Sequence, residues 1–450
     1  MGGFVPNGFG RAIGLRAMTA IMALAAAATL CGCATTGPVA IRPDQSLKGV
    51  ADLLNDTPPG GSLNILVAHG MRADEDQDQA DVRGHLAQKL HLTLQGAPRQ
   101  VLLLEKERPS VRIDGNEVWK TDADWGRDLP YVDVAIYDAP GGKHVAFYSF
   151  NYWRPLARIK CRELIAYDAH LIGPSDRSRW CHDFMHEPMP GKAEATTPLV
   201  GNKWLKSEIM DWGFGDATIV MSKFEAVIRT AARDAMAVEI SDVSRRVAAL
   251  HPDRARGRPS IEALDEPDQR FAVITESLGG FVLLDALAAP ASADELATPA
   301  PTDTADQTRD LRLTAAENIL CRTQQFHMLA NQITLLRLSQ MQVGLGGAEM
   351  KTCLTSQVRP LSKPPIEVVA YHDPNDQLTF YNASPATEML LGVPTINVVA
   401  PFTRIWLWFL VADPAMAHDG QKRNGRIMDM VAMGSRQARG SDGPAASPRN

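Results

Sequence analysis

Residues 270–280, RFAVITESLGG, carry an apolar, β-prone run straight into Ser277 and two glycines, and the FVLLDALAA that follows reads as a helix. No other feature constrains the fold as strongly. A buried strand must leave its sheet and turn into a helix within one tight bend, which requires small neighbours and lifts the serine hydroxyl clear of the sheet. A nucleophile elbow reads this way, with the usual pattern Gly-x-Ser-x-Gly. Gly279 fills the second glycine position, and Thr275 stands at the first. Because serine is also favoured as an ordinary helix N-cap, the meaning of the turn depends on its partners elsewhere in the chain.

Other strands end near similar signals. LNILVA at 63–68 stops on His69-Gly70-Met71, where the next backbone N–H can point into a site above a parallel sheet. Residues 97–150 are β-rich, with VLLLEKE, VRIDG, VDVAIYD and, after the turn signal Ala139-Pro140-Gly141-Gly142, HVAFYSFNYW. These are expected as antiparallel additions to a core strand. From 204 to 250 the pattern is helical, most plainly in SKFEAVIRTAARDAMAVEI. Two further strands are expected at 366–372 (IEVVAYH) and 395–400 (TINVVA), and a last amphipathic helix over about 423–433. Strands alternating with helices predict an α/β fold, a mostly parallel central sheet with helices on both faces and an antiparallel β-rich insertion. The expected domain spans 62–434, with insertions at about 75–145 and 288–312. The second insertion is rich in Ala, Pro, Thr and Asp and has no apolar period. The acidic run ADEDQDQAD at 73–81 reads as a solvated loop, and residues 435–450 as a disordered tail.

At 450 residues, 45% apolar and 22% charged, the chain has the composition of a globular body with a large core. Its formal charge is −6, and the only charged side chains before Cys33 are Arg11 and Arg16, so the remainder is more acidic still. That balance argues against nucleic acid as a partner. The N-terminal 32 residues have the positive region, short apolar core and small-residue end of an export signal. Leu30-Cys31-Gly32-Cys33 resembles a bacterial lipobox, with Cys33 as the acylated residue at the head of a tether, 33–61, that carries one short helix at SLKGVADLL. Export would place Cys161, Cys181, Cys321 and Cys353 in an oxidising compartment. Sequence order suggests Cys161 with Cys181 and Cys321 with Cys353, although four cysteines allow three pairings. No cysteine or histidine spacing suggests a metal, and no cofactor is expected.

A nucleophilic serine needs a base, an acid that fixes the base's tautomer, and donors for an oxyanion. After IEVVAYH come Asp373-Pro374-Asn375-Asp376. Asp373 lies nearer the strand end and precedes proline, which suits it to open a turn. Asp376 is therefore the candidate acid and Asp373 its rival. After TINVVA and the apolar run IWLWFLV come Asp413 and then His418, placed where a triad histidine belongs. His372, beside the acid at a strand end, is a less suitable base. The backbone N–H groups of Met71 and Leu278 are the candidate oxyanion donors, with His69, Gly70 and Gly279 supporting the site. Seven apolar residues in IWLWFLV are too few to span a membrane and read as core or site wall.

The blocks VAHGM, ITESLGG, MLANQITLL, YHDPND and DPAMAHDGQKRNGRIMDMVAMG, spread over residues 63–434, resemble the α/β-hydrolase superfamily. More narrowly, they resemble a group of exported bacterial α/β-hydrolase-like lipoproteins of unassigned substrate, with FYSFNYWRPLARIKCREL and MDWGFGDATIV similar to the same group. The resemblance implies Ser277 as nucleophile, His418 as base and Asp376 as acid. Thr275 departs from the superfamily's glycine but fits the narrower group. The expected protein is a serine esterase or lipase-like enzyme of the cell envelope, acting on a small-molecule or lipid ester and held to a membrane through Cys33. The competing expectation is a catalytically silent envelope lipoprotein that uses the same fold for binding.

Overall fold

The computed structural model describes residues 46–71, 77–104, 112–113, 116–117, 128–165, 176–185, 205–222, 224–251, 261–289, 305–333, 335–336, 353, 366–376, 378–379, 388, 390–400, 405–406, 411–412 and 414–438. Residues 1–45, which hold the expected export signal, Cys33 and the start of the expected tether, lie outside these residues, as do 290–304 and the chain beyond Ala438. In chain order the elements begin with α1 (Val50–Asp56), β1 (Ser62–Ala68), α2 (Gln77–Lys89), β2 (Thr93–Leu94) and β3 (Arg99–Leu102). A small hairpin, β4 (Arg112–Ile113) and β5 (Asn116–Glu117), precedes the long pair β6 (Tyr131–Ala139) and β7 (Lys143–Asn151). Helices α3 (Trp153–Lys160), α4 (Asp176–Met185), α5 (Gly215–Val220) and α6 (Glu225–Leu250) lead to β8 (Gln269–Glu276) and α7 (Leu278–Ala288). Then follow α8 (Ala305–Leu320), β9 (Gln325–Leu329), β10 (Glu367–His372), β11 (Thr395–Val399), the pair β12 (Ile405–Trp406) and β13 (Val411–Ala412), α9 (Pro414–Asp419) and α10 (Gly425–Ala438).

The main sheet runs β11-β10-β9-β8-β1-β7-β6-β2, with β3 also paired to β6. From β11 to β7 every pairing is parallel. Strands β6, β2 and β3 add antiparallel pairings at one edge. The architecture is thus α/β, with a mixed but mostly parallel sheet.

Alternation along the strands divides the core in two. Leu66, Ala146, Tyr148, Phe271, Val273, Phe326, Met328 and Val368 face a cluster that includes α6, α7 and α8. Their sequence neighbours Ile65, Val67, Val145, Phe147, Ala272, Ile274 and Val369 face α1, α2 and α10. Strands covered on both faces need apolar residues at nearly every position, which is why FAVI and VVAY read as continuous runs. Each buried Val, Leu, Ile or Phe contributes about 1.5–3 kcal/mol of transfer free energy. Arg233, 2% exposed, caps α7 by donating from Nε to the Ala286 carbonyl (3.1 Å) and from Nη2 to that of Ala289 (2.6 Å), placing a cation at the negative end of the helix.

Disulfides join Cys161 to Cys181 and Cys321 to Cys353. In the chain-entropy account, closing loops of this length contributes about 3–4 kcal/mol each. Among the described residues no helix is long and apolar enough to cross a membrane, and no group of three or more His, Cys, Asp or Glu could hold a metal ion.

Three local expectations are corrected. The acidic run at 73–81 is not all loop, because α2 begins at Gln77. The insertion at 288–312 is helical from Ala305, since Leu311 starts an apolar stripe that continues through Ala315, Ala316, Ile319 and Leu320 against the core. The last helix continues past Met433 to Ala438, bending at Gly434, whose φ of 71° suits glycine. A Cβ at Gly434 would lie 2.5 Å from the Leu47 carbonyl oxygen, so the bend also lets the N-terminal segment pack against this helix.

Candidate active site

The turn between β8 and α7 places Ser277 at φ 50°, ψ −119°, a backbone conformation that costs a non-glycine residue about 1–3 kcal/mol. Three contacts hold it there. The Ser277 N–H donates to the Leu329 carbonyl at the end of β9 (2.7 Å). A Cβ at Gly279 would lie 2.5 Å from the His69 carbonyl oxygen, and one at Gly70 would lie 2.7 Å from Ser277 Cβ. Only glycine at those two positions lets the loop after β1 press against the turn. At the position where glycine is usual, Thr275 is accommodated because Gly280 opposite it has no side chain; a Cβ there would come within 3.1 Å of Thr275 Oγ1.

His418 reaches this turn from α9. Its Nε2 is 2.6 Å from Ser277 Oγ, and its Nδ1 is 2.8 Å from Asp376 Oδ2. Since Asp376 is a hydrogen-bond acceptor, Nδ1 carries the proton and Nε2 presents its lone pair to the serine hydroxyl. Burial pulls the pKa of His418 down, but the hydrogen bond and charge of Asp376, with the charges of Asp419 and Glu276, outweigh it and hold the pKa above the ordinary histidine value. Asp376 in turn accepts from the Leu378 N–H (2.9 Å) and from the Thr379 hydroxyl. Asp373 instead accepts from the Asn375 N–H (2.8 Å) and from Asn375 Nδ2 (3.0 Å), bonds that fold the turn after β10. His372 bonds to Asn397 Oδ1 on β11 (2.8 Å), and burial lowers its pKa. The structure therefore brings Ser277, His418 and Asp376 together and leaves Asp373 and His372 outside that chain.

His69 has a structural part. Its Nε2 accepts the Tyr152 N–H (3.1 Å), so Nδ1 is the protonated nitrogen and donates to the Gly70 carbonyl (2.8 Å). The Tyr152 hydroxyl donates back to the His69 carbonyl (2.7 Å), and the two rings stack at 4.0 Å. In a trans peptide the C=O and N–H point in opposite directions. Turning the Gly70 carbonyl towards the imidazole thus turns the Met71 N–H away from it. Leu278 is the first residue of α7, so its N–H is among those a helix leaves unpaired.

Several neighbours of the site are not evident in sequence. Glu276, just before the serine, forms a buried ion pair with Lys422 (2.9 Å), four residues after His418. Gln421 Oε1 accepts the N–H of Ala330 (2.8 Å), a residue held at φ 49° after β9. Gln332, two residues further on, brings its Nε2 to 3.2 Å from His418 Nε2. The one available signal is Glu276 itself, since a carboxylate in a buried strand requires a cation. Cys33 lies outside the described residues. Compared with protein-family models, with curated proteins and with solved structures, the chain matches none.

Proposed function

We propose that the chain is a serine hydrolase of the α/β-hydrolase type that cleaves an ester through an acyl-enzyme. The observation that carries this reading is the unbroken hydrogen-bonded chain from Ser277 Oγ through His418 to Asp376, built on a strained turn. In this reading, as Ser277 Oγ bonds to the substrate carbonyl carbon, its proton passes to His418 Nε2. Asp376 keeps the other nitrogen protonated and stabilises the imidazolium. The N–H groups of Met71 and Leu278 receive the oxyanion, aided by the positive end of α7. His418 then protonates the leaving alcohol as the carbonyl re-forms. A water molecule enters, loses a proton to the same nitrogen and releases the acid. Thioesters and amides can follow the same route. The disulfides fit the export proposed for the N-terminal segment, with Cys33 as the lipid anchor.

The test is turnover of a series of p-nitrophenyl esters by the body starting after Cys33. The expected result is hydrolysis with an acyl-enzyme burst, reduced about a thousandfold or more in Ser277→Ala. Equal turnover in parent and variant would refute the reading.

A further inference from the structure

Gln332 is 1% exposed and follows β9, the strand beside the nucleophile strand. Its position is well defined, because Ala330 is tied to Gln421 and the Gln332 carbonyl accepts the Leu336 N–H (3.0 Å). Since His418 Nδ1 carries the proton, Nε2 is an acceptor, and the donor end of the Gln332 carboxamide faces it at 3.2 Å. The other end, Oε1, is buried and has no hydrogen-bond partner among the described residues. An unsatisfied buried carbonyl is costly, and this one belongs to a carboxamide that touches the nitrogen through which every proton of the proposed reaction must pass.

Acylation gives Oε1 no role, because the serine hydroxyl has one proton and His418 takes it. Deacylation differs. The attacking water has two protons: one passes to His418 Nε2 as the water oxygen bonds to the acyl carbon, and the other needs an acceptor to fix the water's orientation. We infer that Gln332 Oε1 is that acceptor and that Gln332 is a catalytic residue of the water step. This rests on the hydrolase reading above. In the acyl-enzyme the Ser277 oxygen no longer donates to His418, so a water takes its place between Nε2 and Oε1. The proton it retains, on the oxygen now bonded to the acyl carbon, stays with the product acid; Ser277 Oγ leaves and recovers its proton from His418. Gln332 exchanges no proton.

A fluorophosphonate probe separates the two halves, since it phosphonylates the serine without needing water. Gln332→Met fills the same volume without an acceptor. It is expected to label within about threefold of the parent, to turn over p-nitrophenyl acetate at least tenfold more slowly, and to accumulate acetyl-Ser277 visible by intact-protein mass spectrometry. Labelling and turnover that fall together in Gln332→Met, or turnover unchanged in it, would overturn the inference and leave the hydrolase reading standing. A parent that neither labels nor turns over would overturn both.

Discussion

Two buried polar clusters sit on the same sheet and differ in how far their charges are compensated. At the carboxyl ends of β8, β9 and β10, Ser277, His418 and Asp376 form one chain, and Glu276 is paired with Lys422. Near the start of β1, Arg246 on α6 donates to Ser62 (2.9 Å), Asn64 (2.5 Å) and the Tyr148 hydroxyl (2.7 Å). Asp242, one turn earlier, accepts from Tyr148 (3.0 Å), Arg99 (3.2 Å) and Arg245 (2.8 Å). One further turn back, Glu239 is fully buried and neither carboxyl oxygen has a hydrogen-bond partner among the described residues. Burial raises its pKa to about 8, against the pull of Arg246, so it holds its proton at neutral pH. The first cluster keeps its ionised groups matched where loops from successive strands converge. The second fastens α6 across the sheet and tolerates a carboxyl group only in its neutral form. Burial of polar groups alone therefore does not mark a site; a donor and acceptor order that ends on a serine held in a strained turn does.

The comparison is broken most severely by Lys422→Ala, which removes the buried cation paired with Glu276 under the strained turn. The expected cost is about 3–5 kcal/mol in denaturant unfolding with both disulfides intact. The double variant Glu276→Gln/Lys422→Met is expected to recover most of it, and a cycle showing no coupling would mean that the pair does not fasten α9 to the turn. The second cluster predicts the opposite sign. The pKa of Glu239 is higher in the folded than in the unfolded chain, so its contribution is neutral below the unfolded value and destabilising as pH rises towards 8. Glu239→Gln removes that loss. Its stability relative to the parent should grow between pH 5 and pH 8, reaching on the order of 3 kcal/mol, and a difference flat across that range would show that Glu239 is not held neutral.

Much of this arrangement is legible in the chain because its signals are local. The runs RFAVITE and IEVVAYH identify strands buried on both faces, and the residues just after them, Ser277 and Asp376, fall at one edge by the parallel rule alone. The elbow is legible from Gly279, since few residues fit where a Cβ would meet a carbonyl oxygen at 2.5 Å. What sequence hides is pairing over distance. Glu276 signals the need for a cation, but nothing local points to Lys422, 146 residues away. Asn331-Gln332 lie between two apolar runs, and only the fold brings Gln332 to His418. The start of α8 is obscured because its stripe begins inside a segment whose overall composition reads as loop.

The measurement that tests the central claim most directly is the rate of fluorophosphonate labelling as a function of pH, with the modified peptide mapped. The account predicts one adduct, on Ser277, absent from Ser277→Ala. Its rate should fall with acid through a midpoint above the ordinary histidine value of about 6.5, because His418 must be neutral to accept the serine proton and its neighbours raise its pKa. Labelling at another residue, or none in a folded parent, would contradict the assembled chain of Ser277, His418 and Asp376.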